Sequence, residues 1–143
     1  MPPPENFDIA SFLPYLLNRA AEESSAGFSY IYKDRYGLLR TEWRVLFHLG
    51  QHGEMTATEI GRISKIHKTK VSRAVAALQK RRYLARAPNT RDRRIEFLTL
   101  TPQGTKVFAE LAGVAAAYNA ELLAQFTPEE QATLLKSLRI LMR

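Results

Sequence analysis

The sequence predicts a mainly α-helical fold that carries one small β-hairpin. Apolar residues recur at helical spacing along most of the 143 residues, whereas residues 83–88 and 95–100 have the composition of short strands. The polar stretch between them predicts a hairpin tip. The expected order is helix, helix, short helix, helix, hairpin, long helix and helix. Two consecutive helices joined by a tight turn and followed by a hairpin are typical of a winged helix-turn-helix.

Glycines and apolar spacing set the first two helices. The first helix is expected over residues 8–33, with a stop at Gly37. The second is expected to begin at Thr41 and to be closed by Gly50 and Gly53.

Side-chain caps place three of the later helices. Thr56 is followed three residues later by Glu59, which is the signature of a capping box at the start of a short helix. Thr101 precedes a proline and is expected to cap the long helix, and Thr127 begins a second capping box for the last helix.

Composition limits the classes of function. The chain contains no cysteine, which excludes disulfides, thiolate metal sites and cysteine-based redox sensing. No apolar run is long enough to span a bilayer, and residues 1–6 lack the basic and apolar segments of a signal peptide. We therefore expect no membrane association and a location in the cytoplasm.

The positive charge is concentrated in one segment. Residues 65–94 contain eleven basic side chains and one acidic side chain, although the net charge of the whole chain is only +7. A chain that was basic only for solubility would spread its charge, so this asymmetry indicates a surface that binds a polyanion. The alternative is a solvated basic face that has no partner.

The helix expected from Lys68 to about Arg81 combines an apolar face with a face suited to DNA. Its apolar positions fall at i, i+3, i+4 and i+7, and the opposite face holds Thr69 and Arg73, with Ser72 beside them. An arginine can donate two hydrogen bonds to guanine, and hydroxyl groups can contact base edges. Basic residues near the start of this helix suit phosphate contacts, which position a protein on the duplex without specifying the base sequence. These residues are Lys65, His67, Lys68 and Lys70.

The hairpin tip is the expected wing, which can reach an adjacent minor groove. Its candidate DNA contacts are Arg91, Arg93 and Arg94, and Asp92 is expected to order the tip by pairing with Arg91 or Arg94. A plain charged turn is the alternative.

Three stretches resemble the MarR family of bacterial transcriptional regulators. They are residues 70–75 in the predicted recognition helix, the arginine- and aspartate-rich wing, and the Leu-Thr-Leu-Thr-Pro-Gln-Gly segment at residues 98–104, which leads from the wing into the long helix. The element order fits the family from about residue 7 to residue 142. Asn89 stands where the family usually has aspartate, which removes one carboxylate and is expected to loosen an ion pair that orders the wing, and His67-Lys68 replaces small polar residues.

The resemblance implies a single domain in which residues 7–36 and 102–142 form a dimerisation region and residues 38–100 form the DNA-binding lobe. It implies a homodimer on a pseudo-palindromic double-stranded DNA operator, commonly as a repressor. The apolar surplus at both ends supports a dimer, and the residues concerned are Phe7, Ile9, Phe12, Leu13, Leu16, Leu134, Leu138 and Leu141.

Many relatives release DNA when a small molecule, often aromatic or anionic, binds between these regions. The residues expected to form such an effector site are Phe28, Tyr32, Tyr36, Trp43, Phe47 and His48. Arg19, Arg40 or Arg44 could offer a cation to an anionic ligand. The alternative is that these aromatic residues are simply core.

No catalytic constellation is present, so we expect no enzymatic activity and no cofactor. His48 and His52 have chelating spacing, but no third ligand is placed, and we expect no metal. The open alternatives are a regulator without an effector, an activator, a non-specific architectural DNA-binding protein, and a module whose basic face binds an acidic protein.

Overall fold

The computed structural model describes residues 1–2 and 4–143. The order of its elements confirms the predicted fold class. In chain order they are a 3₁₀ turn (Ile9–Ser11), α1 (Leu13–Tyr36), α2 (Arg40–His52), β1 (Met55–Thr56), α3 (Ala57–Ser64), α4 (Lys68–Lys80), β2 (Leu84–Pro88), β3 (Glu96–Leu100), α5 (Pro102–Leu123) and α6 (Pro128–Leu141).

The sheet has three antiparallel strands in the order β1-β3-β2. The hairpin register pairs Leu84 with Leu100 and Pro88 with Glu96, while Met55 of β1 pairs with Leu98. The sequence did not predict β1, because a two-residue strand has no periodicity to detect.

The chain divides into two compact units, residues 1–37 and 38–143, and each is described by itself. In the first unit the single helix expected over residues 8–33 is in fact a 3₁₀ turn followed by α1, with Phe12 extended between them. The helix α1 runs three residues further than expected, to Tyr36. It ends where Gly37 takes a left-handed backbone and donates its N–H to the carbonyl of Lys33.

The second unit is built around one apolar core. Every apolar position predicted for α4 is buried, which confirms that face: Val71, Ala74, Val75 and Leu78. These side chains lie with fully buried residues of the other elements, namely Leu38, Val45, Leu46, Ile60, Leu98 and Leu111. Among the described residues no single helix is long and apolar enough to cross a membrane; α5 and α6 pass that test only together, across a bend of 113°.

The helix ends largely follow the predicted caps. Thr56 and Thr127 form the two expected capping boxes, and Thr101 caps α5 by accepting the N–H of Gly104. The start of α2 is one residue earlier than expected, at Arg40.

Gly50 was wrongly expected to close α2, since it lies inside the helix. A β-carbon at this position would overlap the ring of Phe108, so Gly50 permits close packing of α2 against α5. The helix ends instead at Gly53, whose φ is 77°.

Candidate nucleic-acid interface

The outward face of α4 carries the side chains predicted to read DNA. Thr69, Ser72 and Arg73 are all exposed, because the buried stripe of α4 turns the opposite face towards solvent. Lys68 and Lys70 are exposed on the first turn of the same helix. The helix therefore presents short polar groups and one guanidinium within a basic surrounding.

The turn between α3 and α4 exposes two more of the predicted basic contacts. Lys65 follows the last residue of α3 in a left-handed conformation with φ 59°. His67 is the N-cap of α4, and its Nδ1 accepts the backbone N–H of Thr69 at 3.2 Å. Since Nδ1 is the acceptor, the neutral imidazole carries its hydrogen on Nε2. The sequence predicted His67 only as a phosphate contact and missed its role as a cap.

The wing tip is ordered by one amide and one carboxylate. Oδ1 of Asn89 accepts the backbone N–H groups of Arg91 at 2.8 Å and Asp92 at 3.4 Å. The amide oxygen accepts the turn's N–H groups without a charge, and the expected loosening of an ion pair by asparagine at this position stays a prediction.

Asp92 pairs with Arg94, which confirms one of the two expected partners. Its Oδ1 accepts the Nε–H of Arg94 at 3.1 Å and its Oδ2 accepts from Nη2 at 3.2 Å. The bonds from the side chain and then from the backbone N–H of Arg94 lower the pKa of the Asp92 carboxyl, so this carboxylate stays ionised.

The remaining wing arginines, Arg91 and Arg93, are exposed. Within the described residues neither side chain has a hydrogen bond or an ion pair. Of the three predicted wing contacts, two are therefore uncommitted and one is held by the wing itself.

A groove of about 600 Å³ lies between the helices α3 and α4 and the wing. Lys68 and Ser72 line one side, and Arg86 and Arg94 line the other. Sequence reasoning missed Arg86, since its partners Gln79 and Glu96 are seven and ten residues away and no local motif joins them.

A cavity of about 640 Å³ in the second unit contains three of the six predicted effector residues. Trp43, Phe47 and His48 line it from α2, together with Arg44, Ile63, Ser64, Lys65 and Met142. Two of its lining residues are cationic, Arg44 and Lys65, and none is acidic. The other three predicted residues belong to the first unit, where Phe28 and Tyr32 are buried and Tyr36 is half-buried.

His48 is a lining residue of this cavity whose pKa is shifted. Burial, followed by the nearby His52 and Arg44, lowers the pKa of its imidazole below the ordinary value of 6.5. The rings of His48 and His52 stack with 5.9 Å between their centroids. Across residues 1–2 and 4–143, no group of three or more potential metal ligands is found.

Nearly all of the residues predicted for dimerisation are exposed. In the first unit these are Phe7, Ile9, Phe12, Leu13 and Leu16, and in the second they are Leu134 and Leu141, while Leu138 is half-buried.

Known proteins similar to this chain are regulators. The family model for the MarR family matches residues 36–95. Two proteins of Bacillus subtilis (strain 168) are each 30% identical to it: the uncharacterized HTH-type transcriptional regulator YwaE over 73% of this chain, and the HTH-type transcriptional repressor MdtR over 68%. The chain spans 61% of the length of YwaE and 63% of that of MdtR.

A solved structure shares the fold over almost the whole chain. This is the structure of Bordetella bronchiseptica BpsR, a protein whose DNA binding is regulated by 6-hydroxynicotinic acid. Its TM-score to this chain is 0.86 at 24% sequence identity. The match covers 95% of this chain and 96% of BpsR. With a winged helix-turn-helix in place and the family model matching residues 36–95, this part of the chain belongs to the MarR family of transcriptional regulators.

Proposed function

We propose that this protein is a sequence-specific DNA-binding repressor that acts as a homodimer in the cytoplasm and is released from its operator by a small aromatic anion. The observation that carries the proposal is the exposed face of α4, where Thr69, Ser72 and Arg73 stand opposite a fully buried apolar stripe. In a helix-turn-helix the second helix enters the major groove, and here that helix is α4.

Base contacts are assigned to the centre of this face. We expect Arg73 to donate two hydrogen bonds to guanine, and the hydroxyl groups of Thr69 and Ser72 to contact neighbouring base edges. Lys65, Lys68, Lys70 and the exposed His67 cap lie at the beginning of the helix, where phosphates are also attracted by unpaired backbone N–H groups.

The wing supplies a second contact to the duplex. Arg91 and Arg93 have no partner within the described residues and can enter a minor groove without breaking an ion pair. Arg94 acts indirectly, since its pairing with Asp92 holds the tip in shape.

A homodimer is supported by the exposed apolar side chains near both ends of the chain. Side chains such as Phe7, Ile9 and Leu141 are each more than half exposed, at 57%, 56% and 51%. Clusters of such residues mark association surfaces in proteins of this size. A two-fold dimer would present two copies of α4 to a pseudo-palindromic operator.

The effector is assigned to the cavity that Trp43 and Phe47 line. Their rings meet edge to face at 5.0 Å, and Arg44 and Lys65 supply positive charge without an acidic neighbour in the lining. Lys65 also belongs to the turn before α4, so an anion held by this lysine would draw it away from DNA phosphate. Phe28, Tyr32 and Tyr36 belong to the first unit, and their part in effector binding stays a prediction. By likeness, the name of MdtR supports repression, and the 6-hydroxynicotinic acid of BpsR supports a small aromatic effector.

Binding to genomic fragments with excess competitor DNA tests the proposal. Specific binding predicts an affinity about 10³-fold or more above that for random duplexes, falling steeply as salt rises. Equal affinity for all duplexes would support an architectural protein instead, and no binding would favour an acidic protein partner.

A thermal-shift screen tests the effector separately. Hydroxylated aromatic carboxylic acids are expected to raise the melting temperature and to release the operator, whereas the matched neutral amides do neither. If the protein binds its operator and no aromatic acid affects that binding, the protein is a regulator without this effector.

A further inference from the structure

We propose that Arg86 is a positioning residue that fixes the wing against the recognition helix α4 and so sets how deeply the wing reaches the DNA. The effect on DNA rests on the proposed function, whereas the positioning of the wing by Arg86 concerns the free protein alone.

One guanidinium joins three elements. The Nε–H of Arg86, on β2, donates to Oε1 of Gln79 at 2.7 Å, and Nη1 donates to Oε2 of Glu96 at 3.1 Å. Gln79 lies in the last turn of α4, and Glu96 begins β3. Both strands of the wing are therefore tied through Arg86 to the helix that faces the major groove.

Apolar packing does not fix the outer wing. In β2 only the first residue, Leu84, is buried, and the other four residues of the strand are exposed. In β3 the first residue, Glu96, is exposed and the first fully buried residue is Leu98. The strand ladder holds β2 and β3 to each other, and β1 pairs with β3 only at Phe97 and Leu98, so the position of the outer wing relative to α4 depends on side-chain contacts.

Arg86 also neutralises an acidic group in the groove that faces DNA. Glu96 lines the groove together with Lys68 and Ser72, so an unpaired carboxylate here would repel phosphate. The pairing with Arg86 removes that repulsion. Arg86 contributes to the positive segment but is committed to its two partners, so we do not assign it a phosphate contact.

Only a planar guanidinium can make both contacts at once. Its N–H groups point in fixed, coplanar directions. One of them donates to the Gln79 oxygen and another donates to the Glu96 oxygen. Lysine presents a single ammonium group, so Arg86→Lys keeps the charge but is expected to lose one of the two contacts.

Hydrogen exchange of the free, full-length protein tests whether Arg86 positions the wing. Arg86→Ala and Gln79→Ala are each expected to speed exchange of the wing amides at residues 86–97 several-fold, with Arg86→Lys intermediate. Arg91→Ala is the matched control, since it removes a wing arginine that lacks a side-chain partner in the described part of the chain, and it should leave this exchange unchanged. Unchanged exchange in Arg86→Ala would overturn the proposal.

A double-mutant cycle tests the consequence for DNA. Removing Arg91 and Arg93 together should weaken operator binding about tenfold in the native background. In the Arg86→Ala background the same removal should cost less than about threefold, because a displaced wing no longer delivers those arginines. Equal losses in both backgrounds would show that Arg86 does not position the wing.

A further variant separates positioning from charge. If Glu96 repulsion alone explains the loss in Arg86→Ala, adding Glu96→Gln will restore operator binding fully, and the positioning role is overturned. Partial restoration with fast wing exchange supports it. If no variant binds an operator at all, the proposed function fails, while the exchange result still decides whether Arg86 holds the wing.

Discussion

Gly104 lies so close to Tyr83 that a β-carbon on the glycine would overlap the backbone carbonyl of the tyrosine. The same carbonyl accepts the N–H of Thr101 at 3.0 Å, and the Thr101 hydroxyl donates to the carbonyl of Arg82. The first turn of α5 is therefore bonded directly to the chain entering β2. This contact explains why a glycine is needed three residues after the cap.

Gly104→Ala is expected to destabilise the fold by about 1–3 kcal/mol, because α5 must move away from the Tyr83 carbonyl. Gly113→Ala is the matched control in the same helix. Apart from the adjoining turns of its own helix, a β-carbon there meets no atom of the described residues within 4 Å, so alanine should stabilise by about 0.5–1 kcal/mol through helix propensity. Urea denaturation at equal protein concentration measures both. Similar losses for the two variants would contradict the steric explanation.

Arg73→Ala is expected to cost about 1–3 kcal/mol of operator binding and to relax the preference at one base pair. Lys106→Ala, which removes one positive charge from an exposed position on α5, controls for net charge and should leave that preference intact. Binding to a panel of single-base operator variants gives the readout. A uniform loss across the panel would mean that Arg73 contacts phosphate instead of a base.

Replacing Arg93, which has no side-chain partner in the described part of the chain, and replacing Arg94, which pairs with Asp92, should weaken DNA binding in different ways. Arg93→Ala removes an unpaired charge and should lower the slope of log affinity against log salt by about one. Arg94→Ala instead leaves the Asp92 carboxylate without its side-chain partner beside DNA, so it should weaken binding more. Adding Asp92→Asn to Arg94→Ala should recover part of that loss. Titrations at several salt concentrations would show the difference, and identical effects of the two arginines would refute it.

His48 should make stability depend on pH. Its folded-state pKa lies below 6.5, so the unfolded chain binds the proton more readily than the folded chain does. The stabilising contribution is complete above about pH 6.5 and falls as the pH drops through 6.5 towards the folded pKa. In His48→Gln this part of the decline should disappear. Melting temperatures between pH 5 and 8 test the difference, and parallel curves for the two proteins would contradict it.

Local signals in the sequence were read correctly where the physical cause is local. The capping boxes at Thr56 and Thr127 join residues three apart, and the buried face of α4 follows from its own periodicity. The role of Gly50 was predicted wrongly, because a glycine is needed there to make room for the ring of Phe108, which comes from another helix.

The sequence by itself therefore determined the order of the helices, the hairpin and the concentration of positive charge on α4 and the wing, because caps, periodicity and charge act over a few residues. The tertiary structure decided which of those charges are available. It commits Arg94 to Asp92 and Arg86 to Gln79 and Glu96, and it leaves Arg91 and Arg93 without partners in the described part of the chain. The physical reason is that an ion pair depends on distance in space, and the contacts of Arg86 arise only once α4, β2 and β3 have come together.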